Sequence, residues 1–422
     1  MQVYFNHRQT GKHTYSDPYR HIERQGDNLE AVIIEEIAQA QSTIDVAVQE
    51  LRLPEIAKAL VKSRRSGVKV RVIVDNKYSR PLSKLSSIEI GKLNKRDRKS
   101  YEEFVRLVDT NQDGNLSQQE IDRGDALVML RNGSIPVIDD TADGSKGSGL
   151  MHHKFIVIDD HTVVTGSANF TLSGIHGDFS DSETRGNANH LLVIHNPRIA
   201  RIFTDEFNYM WQDKLFGLAK PRRSPQTIIW ENTEVTVNFS PTSPTQDWNS
   251  SSNGLIGRAI ADATSSIDLA LFVFSEQKLA DILQKKYQQG INIQAVFDPE
   301  FAFLYYSEAL DMLGVTLSNR CRSESDNNPW LKPVNTVGTP QLIRGDKLHH
   351  KFTLIDNKKI ITGSQNWSTA ANHTNDETVL IIDNFTVASH FKQEFEHLYN
   401  SSNKGIPEFV SEKIQVQQKK CN

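Results

Sequence analysis

The sequence predicts an α/β protein built as two similar α/β/α sandwich halves related by a pseudo-twofold axis, and three observations carry that expectation. A strand, helix, strand order occurs twice at one spacing. A short His-Lys-Asp pattern follows each copy, and each half closes on a helix with an aromatic residue at every fourth position. At 422 residues the chain exceeds one ordinary domain and accommodates two, divided here as 1–220 and 221–422. Hydrophobic residues at 37% beside 24% charged ones describe a soluble globular chain rather than a disordered or fibrous one.

In the first half Ile44–Val48 reads as a strand, Pro54–Ser66 as an amphipathic helix and Gly67–Asp75 as a second strand. The second half repeats this with Ile267–Leu271, a helix running through Lys286, and Gly290–Asp298. Ile44 to Asp75 and Ile267 to Asp298 both span 31 residues, a register that a duplication preserves and chance does not. Two strands joined through a helix form a parallel βαβ unit. The closing helices carry Phe203, Phe207 and Trp211 in one half and Phe391, Phe395 and Tyr399 in the other, each set a core stripe.

Asp75 precedes His152 by 77 residues, whereas Asp298 precedes His349 by 51, so the first half holds about 26 extra residues, placed near 92–124. Within them Asp109 to Glu120 fits a twelve-residue EF-hand calcium loop. Asp109, Asn111, Asp113 and Ser117 supply side-chain oxygens, Asn115 a carbonyl and Glu120 a bidentate carboxylate, with Gly114 at the sharp bend. A helical run, Arg98–Val108, precedes the loop, and no second loop pairs with it. Calcium is therefore the expected cofactor, as a structural clip more than a steep sensor.

His152 and Lys154 stand two apart on a predicted strand, so both side chains leave the same face; His349 and Lys351 repeat this. Fourteen residues after each His comes a glycine turn, Gly166-Ser167-Ala168-Asn169 and Gly363-Ser364-Gln365-Asn366. Two histidines, two lysines, two serines and two asparagines can thus converge across the pseudo-twofold axis. Together with Asp159 and Asp356 these residues resemble the H-x-K-x4-D and G-S-x-N signatures of the phospholipase D superfamily, over nearly the whole chain apart from the insertion.

A phosphodiester is anionic, and Lys154, Lys351, Asn169 and Asn366 can neutralise the charge that develops on attack without a metal. The resemblance implies that one His attacks phosphorus to give a phosphohistidine while the other protonates the leaving oxygen and then activates water. It also implies that a glutamate before the last strand orients a catalytic His. Glu377 holds that position in the second half, and Asn189 replaces it in the first. His349 then suits the acid/base role and His152 the nucleophile. Asp159 and Asp356 are expected in buried hydrogen bonds at the strand ends, and His153 and His350 face away from the chemistry.

Superfamily membership fixes the bond, not its carrier. The aromatic and hydroxyl residues after each Asn, Phe170-Thr171 and Trp367-Ser368, resemble the nuclease branch, so DNA or RNA ranks first as substrate. A phospholipase D acting on phosphatidyl head groups ranks second, and a non-catalytic calcium-dependent binding module third. The cardiolipin synthases of the superfamily carry membrane helices, and no apolar run here reaches the roughly 18–20 residues a span needs. A net charge of −4 leaves only local basic surface for a polyanion; Lys62–Arg65 and Lys95–Lys99 are such runs and read as solvated helix faces.

The two cysteines, Cys321 and Cys421, are too few for a disulfide framework or a zinc site and read first as plain thiols, with a single bridge between them as the alternative. The N-terminus shows no signal peptide, and glycosylation sequons at Asn169 and Asn366 inside the presumed site weigh against a glycosylating route and toward a bacterial origin. Periplasm, exterior and cytoplasm stay open. Two motifs in one chain point to activity as a monomer.

Overall fold

The computed structural model describes residues 1–9 and 14–421. It divides into two compact units, Met1–Lys220 with Ile343–Asp346, and Pro221–Leu342 with Lys347–Asn422.

The first unit is built on a seven-stranded sheet in the order Gln2–Phe5, His190–His195, Thr162–Gly166, Lys154–Ile158, Thr43–Val48, Lys69–Val74, Val137–Asp139. Thr43–Val48 runs parallel to Lys69–Val74 and antiparallel to Lys154–Ile158. These central strands are mainly apolar because both faces are covered, and the buried Asp45 and Arg71 pair with each other. Ile156 and Ile158 join the cluster formed with Leu29, Ile33 and Ile37 of helix Leu29–Gln39 and with Ile56 and Leu60 of helix Pro54–Arg65. Phe155, pointing the other way, meets Phe203 of helix Pro197–Trp211 edge to face at 5.1 Å.

The second unit repeats the plan in a nine-stranded sheet. Ser266–Leu271 lies parallel to Asn292–Phe297 and antiparallel to Lys351–Ile355, and Phe352 meets Phe391 of helix Phe385–Asn400 at 5.0 Å. The third aromatic of each closing helix is half-buried rather than core: Trp211 stacks on Phe207 and Tyr399 on Phe395.

Two further features depart from the first expectation. Cys321 and Cys421 form the single bridge rather than staying plain thiols. The C-terminal helix Glu408–Cys421 brings two cysteines 100 positions apart to a Cα separation of 5.4 Å, which sequence distance alone conceals. The helix before the loop begins at Lys95 rather than Arg98, because the Asn94 side chain accepts from the Asp97 amide and caps it one turn earlier.

Candidate active site

The strand that carries each motif begins at its lysine, with the histidine in the extended residues just before it. Lys154 and Lys351 are 1% and 2% exposed, and His152 and His349 are buried with them. Each lysine folds back on its own histidine. Lys154 Nζ donates to the His152 carbonyl at 2.9 Å and Lys351 Nζ to the His349 carbonyl at 2.7 Å. The bond follows from the i, i+2 spacing, which puts the ammonium and the imidazole on one side of the chain. It pins each ammonium to the backbone of its own histidine and leaves further ammonium donors for other acceptors.

The two glycine turns are equally matched. The Asn169 and Asn366 side-chain oxygens are buried without a hydrogen-bond partner among the described residues, while Asn169 Nδ2 donates to Gln49 Oε1 at 3.2 Å. Ser167 Oγ donates to Asn189 Oδ1 at 2.7 Å, and Ser364 Oγ donates to Glu377 Oε2 at 2.6 Å. Asn189 and Glu377 therefore occupy the same place in their units. Glu377 is fully buried and also accepts from Asn375 Nδ2 at 3.2 Å.

The aromatic and hydroxyl residues after each Asn have structural work. Phe170 and Trp367 are core residues, and Thr171 and Ser368 cap the short helices Leu172–Ile175 and Thr369–His373. Asp159 and Asp356 lie at tight turns with φ of 52° and 51°, where they are half-buried rather than buried, correcting that expectation. Each carboxylate clamps the start of the first βαβ strand. Asp159 accepts from the Gln41, Ser42 and Thr43 amides and Asp356 from the Thr264, Ser265 and Ser266 amides, which holds both below the usual carboxylate range despite partial burial.

His153 and His350 face the closing helices, where they bond Glu206 and Glu394, each at 3.0 Å. Burial, with Lys351 next to it, pushes His350 well below the ordinary histidine range.

Sequence reasoning missed one pair. Asp75 and Asp298, seen above only as register marks, each grip the residue immediately before a motif histidine. Asp75 Oδ2 accepts from the Met151 amide at 3.0 Å and Asp298 Oδ2 from the Leu348 amide at 2.8 Å. Burial pushes both carboxyls up to about 6. Their position at the end of the second βαβ strand in both repeats was the available signal. Phe272 was missed too; half-buried, it stands edge-on to His349 at 4.8 Å and to Phe301 at 4.6 Å.

The insertion forms a helix, Lys95–Val108, a loop, and a helix, Gln118–Gly124. Gly114 has a φ of +81°, and Asp109 accepts from the Asp113 and Gly114 amides. The Glu120 carboxylate is turned to hydrogen bonds with the Thr110, Asn111 and Ser117 amides and the Ser117 and Thr110 hydroxyls. The Ser117 hydroxyl is the largest cause holding it near 2. Asn111 and Asn115 are exposed and Ser117 caps the second helix. Among the described residues no three His, Cys, Asp or Glu side chains are gathered to hold a metal.

Residues 33–211 and 256–399 match the family described as cardiolipin synthase, PLD-like domain, and the chain belongs to this PLD-like family of phosphodiester-processing proteins. It is 30% identical over 146 residues to human mitochondrial cardiolipin hydrolase, covering 35% of this chain and 50% of the relative. The chain thus spans about half the length of the curated relatives it matches. Phosphatidylserine synthase of Haemophilus influenzae shares the fold with a TM-score of 0.56 and 13% identity, over 93% of this chain and 90% of that one. The phospholipase D family member Nuc of Salmonella typhimurium aligns over 42% of this chain and 99% of its own, with 21% identity and a TM-score of 0.32. Among the described residues no helix is long and apolar enough to cross a membrane.

Proposed function

We propose that the chain hydrolyses phosphodiester bonds of nucleic acid through a phosphohistidine. The observation that carries the phosphodiesterase reading is the doubled clasp, a buried lysine ammonium held against the carbonyl of its own motif histidine in each unit. A ring nitrogen of His152 attacks phosphorus, forming a P–N bond as the bond to the leaving oxygen breaks. His349 gives that oxygen its proton, then takes one from water, whose oxygen displaces His152 from phosphorus. Lys154, Lys351, Asn169 and Asn366 stabilise the charged transition state. Asp159, Asp356, Ser167, Ser364 and Asn189 hold these groups in place, and Glu377 supplies the carboxylate that biases the second-unit site toward a protonated imidazole.

Nucleic acid is favoured by Phe272 and Phe301, a half-exposed aromatic pair beside His349 on which a base can stack. Core packing and helix capping account for the residues after Asn169 and Asn366. The second reading, phospholipid head-group hydrolysis, is favoured by relatives named for cardiolipin and phosphatidylserine. Wild type and His152→Ala assayed on single- and double-stranded DNA, RNA and phosphatidylcholine vesicles separate the two. Cleavage of a polynucleotide that falls steeply with salt is expected; turnover of vesicles alone would replace this reading with the lipid one.

The Asp109–Glu120 loop is the proposed calcium site, with Asp109, Asn111, Asp113 and Glu120 giving side-chain oxygens, Asn115 a carbonyl and Ser117 an oxygen or a bridging water. Its support is the bend at Gly114 and the amides already folded onto Asp109. Glu120 must leave its present hydrogen bonds to bind. The lysines neutralise the phosphate and the asparagine amides hydrogen-bond to it, so EDTA is expected to weaken substrate docking and stability while leaving the chemical step. The Cys321–Cys421 disulfide fits an oxidising compartment such as the periplasm or exterior.

A further inference from the structure

The entering helix of the insertion holds the stretch of chain that joins two parts of the first-unit site. Lys99 and Glu103 lie one turn apart on Lys95–Val108, so their side chains leave the same face. Lys99 belongs to the basic run Lys95–Lys99, yet its Nζ is 2.7 Å from Asp178 Oδ2. The Glu103 carboxylate accepts from two consecutive backbone amides, Phe179 and Ser180. An exposed ion pair contributes little by itself. A carboxylate that satisfies two backbone donors of a distant loop fixes where that loop runs.

The loop so held has the site at both ends. It follows helix Leu172–Ile175, which opens on the Asn169 turn, and it leads to Asn189, the acceptor of the Ser167 hydroxyl. Along its length it behaves as one strap. Arg20 and Arg24 donate to the His176 and Thr184 carbonyls, the Asn187 amide donates to the Ser173 carbonyl, and Asn189 Nδ2 donates to the Gly174 carbonyl. A displacement at Asp178–Ser180 therefore has a bonded route to Asn189.

At its other end the same helix reaches the loop. Val108, its last residue, is fully buried, and Gly124 of the exiting helix is so close that a Cβ there would stand 3.1 Å from Val108. The exiting helix carries Glu120, whose carboxylate now bridges Thr110 and Asn111 to Ser117. A cation that takes Glu120 replaces those bonds and changes how the two helices meet.

We propose that the insertion is a calcium-operated strap on the first-unit site, with Lys99 and Glu103 as the positioning residues that carry its setting to the 177–189 segment. The inference rests on the calcium reading given above, and hydrogen exchange on the full chain tests the two separately. In wild type, calcium chloride should slow exchange of 109–120 and, by ~threefold or more, of 177–189. In the Lys99→Met, Glu103→Ala double variant it should slow 109–120 alone. Glu103→Gln, which keeps an acceptor for the two amides, should recover part of the response at 177–189.

Protection of 109–120 with no change at 177–189 in wild type overturns the strap and leaves the calcium site standing. No protection of 109–120 overturns both. A double variant that still answers at 177–189 overturns the assigned route.

Discussion

Burying a lysine ammonium costs several kcal/mol unless the site supplies compensation, and this chain does it twice, at Lys154 and Lys351. The spacing of two that made both lysines legible as site residues also explains the clasp to the His152 and His349 carbonyls. Asp75 and Asp298 were not legible in the same way, because their function is to hold the Met151 and Leu348 amides, and contacts across 76 and 50 residues leave no local pattern. Their charge state gives a test. Both are pushed up to about 6, so the stability they contribute is complete below the unfolded value near 3.8 and is lost as pH rises through 6. Asp298→Asn removes that loss. Its unfolding free energy relative to wild type should climb between pH 4 and pH 7, by about 2–3 kcal/mol at most, as read from urea curves; a difference that stays flat with pH would show that Asp298 is not buried as a charge.

Elements were read more surely than their ends. Thr43–Val48, Lys69–Val74 and their counterparts in the second half stand where the apolar runs put them, with Gly67 and Gly290 just before the second strand of each pair. The Lys95 helix began a turn early because one asparagine capped it, a choice that hydrophobic periodicity does not record. The turn aspartates show how far a motif can exceed its chemistry. Asp159 and Asp356 tie the end of the motif strand to the start of a neighbouring strand through three consecutive amides each. Asp356→Ala should cost roughly 2–3 kcal/mol of stability, and folded enzyme should keep most of its kcat. Urea denaturation beside steady-state kinetics checks this, and a large fall in kcat at unchanged stability would contradict it. Because the pKa of Asp356 is depressed, its contribution is present above about pH 4 and disappears as pH falls below the unfolded value.

At the scale of the whole molecule, the duplication was visible from end to end, and the asymmetries laid over it were visible only in part. The insertion announced itself as a break in spacing. The disulfide did not, since Cys321 and Cys421 meet only once helix Glu408–Cys421 has docked through Val410. Closing a loop of 100 residues should contribute about 3–5 kcal/mol. Dithiothreitol is therefore expected to lower the urea midpoint of wild type and to leave that of Cys321→Ser unchanged; an equal response in both would remove the disulfide from the account. The proposed division of labour between the repeats rests on Asn189 in one and Glu377 in the other. The two-histidine chemistry on which it depends is tested most directly by hydrolysis of bis(p-nitrophenyl) phosphate, a phosphodiester with neither base nor acyl chain, by wild type, His152→Ala and His349→Ala. Turnover by wild type and a loss of at least about 10³-fold in each variant are expected; substantial hydrolysis by His152→Ala would show that this residue does not attack phosphorus.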